Sequence, residues 1–258
     1  MSVLPKKLLA VDEQPPVSVY NEGGKSPFLL VADHAGNLIP GALGRLGIAE
    51  GDYQRHIAWD IGIASLGRLL ANALDATLIQ QNYSRLVIDC NRPLEATTSI
   101  VDISENTPIP GNAGLSDCAR QIRADEIFRP YHDRIEVELD RRRQAGRTAA
   151  LISLHSFTPV FKGATRPWDA GVLYNRDARF AHRLMAVLNE ENDLFVGDNA
   201  PYIVSDASDY TIPIHAERRG LHHVLVEIRQ DLIADKSGQR AWALRLARVL
   251  PRAYQEQK

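Results

Sequence analysis

Apolar runs of strand length alternate along the chain with longer stretches in which apolar residues return every three to five positions. The runs Phe28 to Ala32, Ala76 to Gln80, Leu86 to Asp89, Ala149 to Leu154, Gly171 to Tyr174 and His223 to Ile228 are continuous rather than alternating. That is how strands covered on both faces read. Between Asp52 and Leu74 the positions Ile57, Ile61, Ala64, Leu69 and Ala73 predict a helix with Asp52 as its N-cap. A second helix is expected within Leu115 to Gln144, starting at the cap Ser116, broken or kinked at Pro130, and ending in an Arg-rich turn before Gly146. Others are expected from about Asp177 to Asn189 and from about Gly238 to Tyr254. Strands alternating with helices predict an α/β fold, one domain over residues 1–258 with a mixed, mostly parallel central sheet flanked by helices. Glu95 to Gly114 and Phe157 to Asp169, punctuated by Pro and Gly, read as long functional loops within that domain.

Polar residues end the runs in a consistent way. Phe28 to Ala32 runs into Asp33-His34, Leu86 to Ile88 into Asp89-Cys90-Asn91-Arg92, Ala149 to Leu154 into His155-Ser156, and His223 to Val226 into Glu227-Ile228-Arg229. Ligands of open α/β sheets bind beyond the carboxyl ends of the strands, so histidines, carboxylates and arginines are expected on one rim. Any one of them alone reads as a satisfied loop residue; together they point to a site. Two neutral imidazoles suit a divalent transition metal, most often zinc, and a catalytic zinc takes three protein ligands with a fourth place for water. His34 and His155 supply two. Asp60, on the apolar stripe of the first helix, is the first choice for the third, because a core-facing charge is costly unless paired or metal-bound. A salt bridge or loop hydrogen bond is the alternative for Asp60. Such a metal, one Zn2+, brings the pKa of its water to ~7. Glu227 is then a candidate proton shuttle. Asn91 and Arg92 are candidates for stabilising an oxyanion or clamping a carboxylate, with Arg229 a second clamp. Buried Arg92–Asp89 or Arg229–Asp231 pairs are the structural alternatives.

Composition excludes some partners. The 30 basic residues nearly cancel the 32 acidic ones, so no global field points to nucleic acid or to a membrane surface. Arg141-Arg142-Arg143 and Arg218-Arg219 read as solvated faces. Two cysteines, Cys90 and Cys118, are too few for a disulfide framework and fit a reducing compartment. MSVLPKKLLAVDEQPPV lacks the pattern of a signal peptide, so the expected location is cytoplasmic. Nothing here excludes a homo-oligomer.

The segments DHAGNLIP, RLVIDCNRP, LISLHSFTP and HVLVEIRQDLI resemble, in order and spacing, the N-formylglutamate amidohydrolase family over about residues 28 to 235. Each motif alone is weak; the combination is specific. The resemblance implies a zinc-carboxypeptidase-like fold, of the phosphorylase/hydrolase-like kind shared with aspartoacylase. It also implies that His34, Asn91-Arg92, His155-Ser156 and Glu227 fall on the family's first histidine, Asn-Arg pair, His-Ser segment and general base. The wider group takes a third metal ligand from a Glu three residues after the first histidine, and here that place is Asn37. Asp60 fills the role by inference. In YTIPIHAERRGLHHV the resemblance suggests a pocket-lining loop, with His215 as a polar contact and Tyr210 and Tyr174 as donors; the alternative is an exposed loop with incidental charge. Ser156 joins the substrate-binding candidates, while His132, His182, His222 and His223 are left as structural. The expected activity is hydrolysis of the formyl amide of N-formyl-L-glutamate or a related N-acyl amino acid, in amino-acid metabolism. The alternatives are a zinc carboxypeptidase-like amidase acting on a small peptide or cell-wall amide, and a noncatalytic anion-binding sensor.

Overall fold

A computed structural model describes residues 7–255. Residues 1–6 and 256–258, to which the readings of the N-terminal segment and of the domain extend, lie outside the described residues. The chain forms β1 (Val17–Tyr20), β2 (Phe28–Ala32), β3 (Thr77–Gln81), β4 (Ile103–Ser104), β5 (Thr107–Pro108), β6 (Ala150–Phe157), β7 (Val160–Phe161), β8 (Ala164–Thr165), β9 (Ala170–Leu173), β10 (Val196–Asp198) and β11 (His222–Arg229). The helices are α1 (Ile63–Leu74), α2 (Asp117–Arg123), α3 (Arg129–Gln144), α4 (Arg179–Asn189) and α5 (Lys236–Gln255). Seven strands make one sheet in the order β1-β3-β2-β6-β11-β9-β10. Its centre, β3-β2-β6-β11, is parallel; β1 pairs antiparallel with β3, and β9 antiparallel with β11. β4–β5 and β7–β8 are small hairpins inside the two loops expected to be functional.

The continuous apolar runs are explained by layers on both faces. Along β2, Phe28, Leu30 and Ala32 pack with α1, α4 and α5, through residues such as Leu66, Leu184 and Leu246. Leu29 and Val31 pack on the other face with Tyr131, Ile135 and Leu139 of α3. This is a single α/β domain with a mostly parallel sheet, as the alternation of patterns predicts.

Three expectations need correction. Leu86 to Asp89 is not a strand: the Ser84 hydroxyl accepts from Leu86 N–H at 3.1 Å, Val87 N–H bonds back to Ser84 O at 2.9 Å, and the run turns. Leu86, Val87 and Ile88 are buried all the same, under α3. Burial makes an apolar run in coil as readily as in a strand. Asp52 to Leu74 is not one helix either. Asp52 lies inside a short helical turn, Glu50–Gln54, and α1 begins only after Gly62, whose φ of 86° and whose approach to Ile233 O suit glycine alone. Asp60 therefore sits in the turn ahead of the helix, not on its stripe. Pro130 does not break the segment Leu115 to Gln144: a wide π-type turn, Ala124–Phe128, joins α2 to α3, and Pro130 occupies the first turn of α3.

Nor is Arg142 solvated. It is fully buried, donates from Nε to Glu138 at 2.8 Å, and through Nη1 meets the carbonyl oxygens of Ser26, Pro27 and Phe28. This ties the C-terminal half of α3 to the start of β2. Among the described residues no helix is long and apolar enough to cross a membrane.

Candidate active site

The centre of the sheet sets the site. β2 ends at Ala32 and hands on Asp33 and His34, while β6 and β11 run further than their apolar cores and carry His155 and Glu227 as neighbours in register. Side chains alternate across a strand, so the paired His155 and Glu227 emerge on one face, that of α3 and the Leu86–Ile88 coil. Asp60 is drawn under this face by its own backbone, whose N–H donates to His34 O at 2.8 Å.

The side chains converge. Asp60 Oδ2 lies 2.8 Å from His155 Nδ1 and 3.5 Å from His34 Nδ1, and all three residues are buried. The far nitrogens of both rings are held by other carboxylates: His34 Nε2 by Asp89 Oδ1 at 2.7 Å, and His155 Nε2 by Asp33 Oδ2 at 2.9 Å. Asp33 is itself fixed by the Thr211 hydroxyl, donating at 2.6 Å, and Asp89 by Arg85, donating at 2.7 Å. Carboxylates on Nε2 keep a proton there and leave Nδ1 as the free lone pair, the outer-shell arrangement found around metal-binding histidines. His34 Nδ1 is buried without a hydrogen-bond partner. An unpaired buried nitrogen is costly unless something else meets it. The ligand atoms of His34, Asp60 and His155 lie within 4.8 Å of one another. Ligands at ~2.0–2.1 Å around a tetrahedral ion stand roughly 3.3 Å apart, so this group could hold a metal with small adjustments.

The electrostatics agree. Burial disfavours charge on His155, but its hydrogen bonds to Asp33 and Asp60 outweigh this and hold the ring well above the ordinary histidine range when protons alone compete for it. Burial likewise works to raise the carboxyls of Asp33 and Asp60; the imidazoles overcome it and keep both below the usual range. Three anionic carboxylates around two rings form a cage that favours a cation. Glu227 differs: burial dominates, its Oε2 has no hydrogen-bond partner, and its pKa is pushed up to about 7. A carboxyl poised there can take or give a proton at neutral pH.

A cavity of about 420 Å³ opens over this group. It is lined by His34, Asp60, His155, Glu227, Arg85 and Arg92, with walls from the β4–β5 and β7–β8 hairpins and from Tyr202 to Val204. Its size is that of pockets for small organic ligands.

Other expected site residues divide. Ser156 lines the cavity, its N–H donating to Asp60 Oδ2 at 3.3 Å and its hydroxyl to Ile61 O at 3.0 Å. Arg92 lines it too, donating through Nη1 to the carbonyl oxygens of Asn91 and Ser208. The suggested Arg92–Asp89 pair is not formed, because Arg85 and His34 take Asp89. Asn91 borders the cavity, but its amide donates to Asp209 and its carbonyl accepts from Tyr210 and Thr211 N–H, so it clamps the 209–211 turn. Arg229 is outside the cavity, held by Asp231 at 2.8 Å and Asp169 at 3.1 Å, the structural alternative noted for it. His215 and Tyr210 do not line it either. His215 Nε2 bonds to His132 Nδ1 at 2.9 Å, and the Tyr210 ring packs on Phe128 and His132. Burial pushes His132 down to about 4 and His215 to about 3, so both are neutral core residues. Tyr174 meets His182, and Glu217 meets Arg176 and Asn175. Sequence reasoning missed Arg85, whose spacing of four from Asp89 was an available signal. It also left Asp33 and Asp89 without roles.

The chain carries a buried His-Asp-His cluster that could hold a metal, beside a carboxyl that burial raises to about 7, groups of the kind hydrolases use on a carbonyl. It belongs to the N-formylglutamate amidohydrolase family, whose sequence profile matches residues 26–234. The chain is 30% identical over 184 residues to an N-formylglutamate deformylase of Pseudomonas putida, covering 65% of this chain and 67% of that protein. A gene product of Agrobacterium tumefaciens has a similar structure, with a TM-score of 0.94 at 37% identity, covering 97% of this chain and 99% of the other. N-formylglutamate amidohydrolase from Ralstonia eutropha shares the fold, with a TM-score of 0.65 at 17% identity over 93% of this chain and 99% of that one.

Proposed function

We propose that the protein is a zinc-dependent, cytoplasmic amidohydrolase that cleaves the formyl amide of N-formyl-L-glutamate or a related small N-acyl amino acid, releasing formate and the free amino acid. The reading rests on one observation above all: both imidazole Nδ1 atoms turn to Asp60 Oδ2 while carboxylates hold both Nε2 atoms, and His34 Nδ1 has no other partner. His34, Asp60 and His155 would hold the ion. When bound, the ion supplies Lewis acidity, making water nucleophilic at neutral pH and polarising the formyl oxygen.

The chain's own groups do the rest. Asp33 and Asp89 fix the ring tautomers through Nε2. Glu227 accepts a proton at Oε2 as water attacks the formyl carbon, then returns it to the nitrogen as the C–N bond breaks, so the amine leaves neutral together with formic acid, which gives its proton to solvent to become formate. Its value of about 7 suits both directions of transfer. Arg92, with Nη1 anchored on two carbonyl oxygens, presents the remainder of its fork to the substrate carboxylate. Ser156 braces Asp60 from below.

Formate release from N-formyl-L-glutamate and from other N-formyl amino acids, before chelation, after chelation and after zinc return, tests the reading. Release that stops with chelation and resumes with zinc supports it; release indifferent to chelation contradicts the metal dependence, and no release from any of these compounds contradicts the activity.

A further inference from the structure

The mouth of the cavity holds a cation to which the steps above give no role. Arg166 directly follows the β7–β8 hairpin, and its N–H donates to Pro159 O at 2.8 Å. It is half-buried, with its guanidinium carbon 4.6 Å from the centroid of Phe161 and 4.7 Å from that of Tyr202, two rings that line the cavity. Arginine stacks on aromatic faces and keeps its charge there, so the rings direct the fork without neutralising it. Nη1 donates to the Tyr202 hydroxyl at 2.8 Å. Among the described residues Arg166 is paired with no carboxylate, and the Tyr202 hydroxyl proton has no acceptor.

The neighbouring cations are committed. Arg85 gives Nε and Nη2 to Asp89 Oδ2, at 3.1 and 2.7 Å, and its Nη1 lies 3.6 Å from Asp60. Arg55 is shared between Asp52 at 2.7 Å and Glu105 at 3.0 Å, which also answers the one acid on this side of the cavity. His56 lines the cavity and is held below the ordinary histidine range, first by burial, with the charge of Arg166 working in the same direction. Two arginines are left for a ligand, and they come from different elements. Arg92 is anchored on the carbonyl oxygens of Asn91 and Ser208, while Arg166 is set by the hairpin and Tyr202. The Tyr202 hydroxyl feels the charges of both Glu227 and Arg166, which puts this pair within electrostatic reach of the proton shuttle.

We propose that Arg166 and Tyr202 clamp the side-chain carboxylate of the substrate while Arg92 holds the α-carboxylate. Arg166 is then the specificity-determining residue that selects an N-formyl amino acid with an acidic side chain. The inference deepens the formyl-amide reading and rests on it. A guanidinium and a phenol hydroxyl offer a carboxylate charge-assisted hydrogen bonds. A carboxamide in the same place brings no charge and half of its polar surface is N–H, which these donors cannot use.

The test compares kcat/KM for formate release from N-formyl-L-glutamate and its neutral isostere N-formyl-L-glutamine, for zinc-loaded wild type, Arg166→Met and Arg166→Lys. Methionine keeps an apolar stem against the rings and removes the charge. Wild type should favour glutamate by at least about tenfold; Arg166→Met should lose about 10- to 100-fold on glutamate while glutamine changes by less than about threefold. Arg166→Lys, which keeps the charge without the fork, should recover part of the preference. Calorimetric binding of N-formyl-L-glutamate to chelator-treated protein should weaken by a similar factor in Arg166→Met, a readout independent of turnover. Glutamine equal to glutamate in wild type, equal losses on both substrates in Arg166→Met, or glutamate binding no tighter to wild type than to Arg166→Met overturns the clamp and leaves the hydrolase reading standing. No formate from either substrate with wild type overturns the reading beneath it and the clamp with it.

Discussion

Replacing Glu227 by glutamine should alter stability in a pH-dependent way whose size follows from the site. In the unfolded chain the carboxyl has its ordinary value of 4.5; in the fold, burial dominates and raises it to about 7. Below pH 4.5 both states hold the proton and the group's contribution to stability is fully present. As pH rises from 4.5 to 7 the unfolded chain gives up its proton first, so the folded state loses ground until the pH passes 7. At about 1.4 kcal/mol per pH unit this loss has a ceiling of about 3.5 kcal/mol, of which about 2.5 kcal/mol falls between pH 5 and pH 8. Glutamine keeps the shape and cannot ionise. The cost of its buried amide is the same at every pH and drops out of the comparison. Urea unfolding of chelator-treated wild type and Glu227→Gln at pH 5 and pH 8 should show the stability difference moving in the variant's favour by about 2 kcal/mol or more, while formate release by the zinc-loaded proteins should be at least about 100-fold lower in the variant. A difference that stays constant with pH would refute the argument, since Glu227 would then already be ionised at pH 5 in the fold.

Three further outcomes are expected. Asp89→Asn and Asp33→Asn should each weaken metal affinity by about 10- to 100-fold with the fold retained, measured by competition with a chromogenic chelator, because each loosens the hold on one imidazole. Glu138→Ala strands the fully buried Arg142 guanidinium and should cost about 3–5 kcal/mol in denaturant unfolding, whereas Glu138→Ala with Arg142→Met together should recover much of it. Arg92→Ala should raise KM for any N-formyl amino acid by about tenfold or more while leaving metal content unchanged, as steady-state kinetics and elemental analysis would report.

How much of this the sequence carries depends on the distance over which each feature is decided. The strands β2, β3, β6, β9 and β11 are legible as continuous apolar runs because packed layers cover both faces of the sheet, and α4 and α5 are legible in their helical period, whereas the short edge strands β1 and β10 carry no such run. His34, His155 and Glu227 are legible because apolar runs that stop at a polar residue mark the rim of an α/β sheet. Asp60 joins the cluster from a turn rather than from the helical stripe first assigned to it, since the positive φ of Gly62 delays α1. Leu86 to Asp89 misleads because coil buried under α3 is as apolar as a strand. Arg229 was expected at a strand end, and His215 and Tyr210 in a loop that the resemblance suggested lines the pocket, but partners far along the chain or outside the cavity claim them: Asp169 holds Arg229, and His132 holds His215 from 83 residues away. Asp33, Asp89 and Asp209 act through such long-range pairs as well, whereas Arg85 holds Asp89 from only four residues away.

Metal content per chain bears most directly on the central claim. Purified wild type, His34→Ala and His155→Ala, each reloaded with zinc and freed of excess, would be analysed for bound metal alongside circular dichroism. About one ion per folded wild-type chain, with both variants folded and nearly metal-free, is the predicted result. Folded variants that hold as much metal as wild type, or a wild type that holds none after reloading, would contradict it.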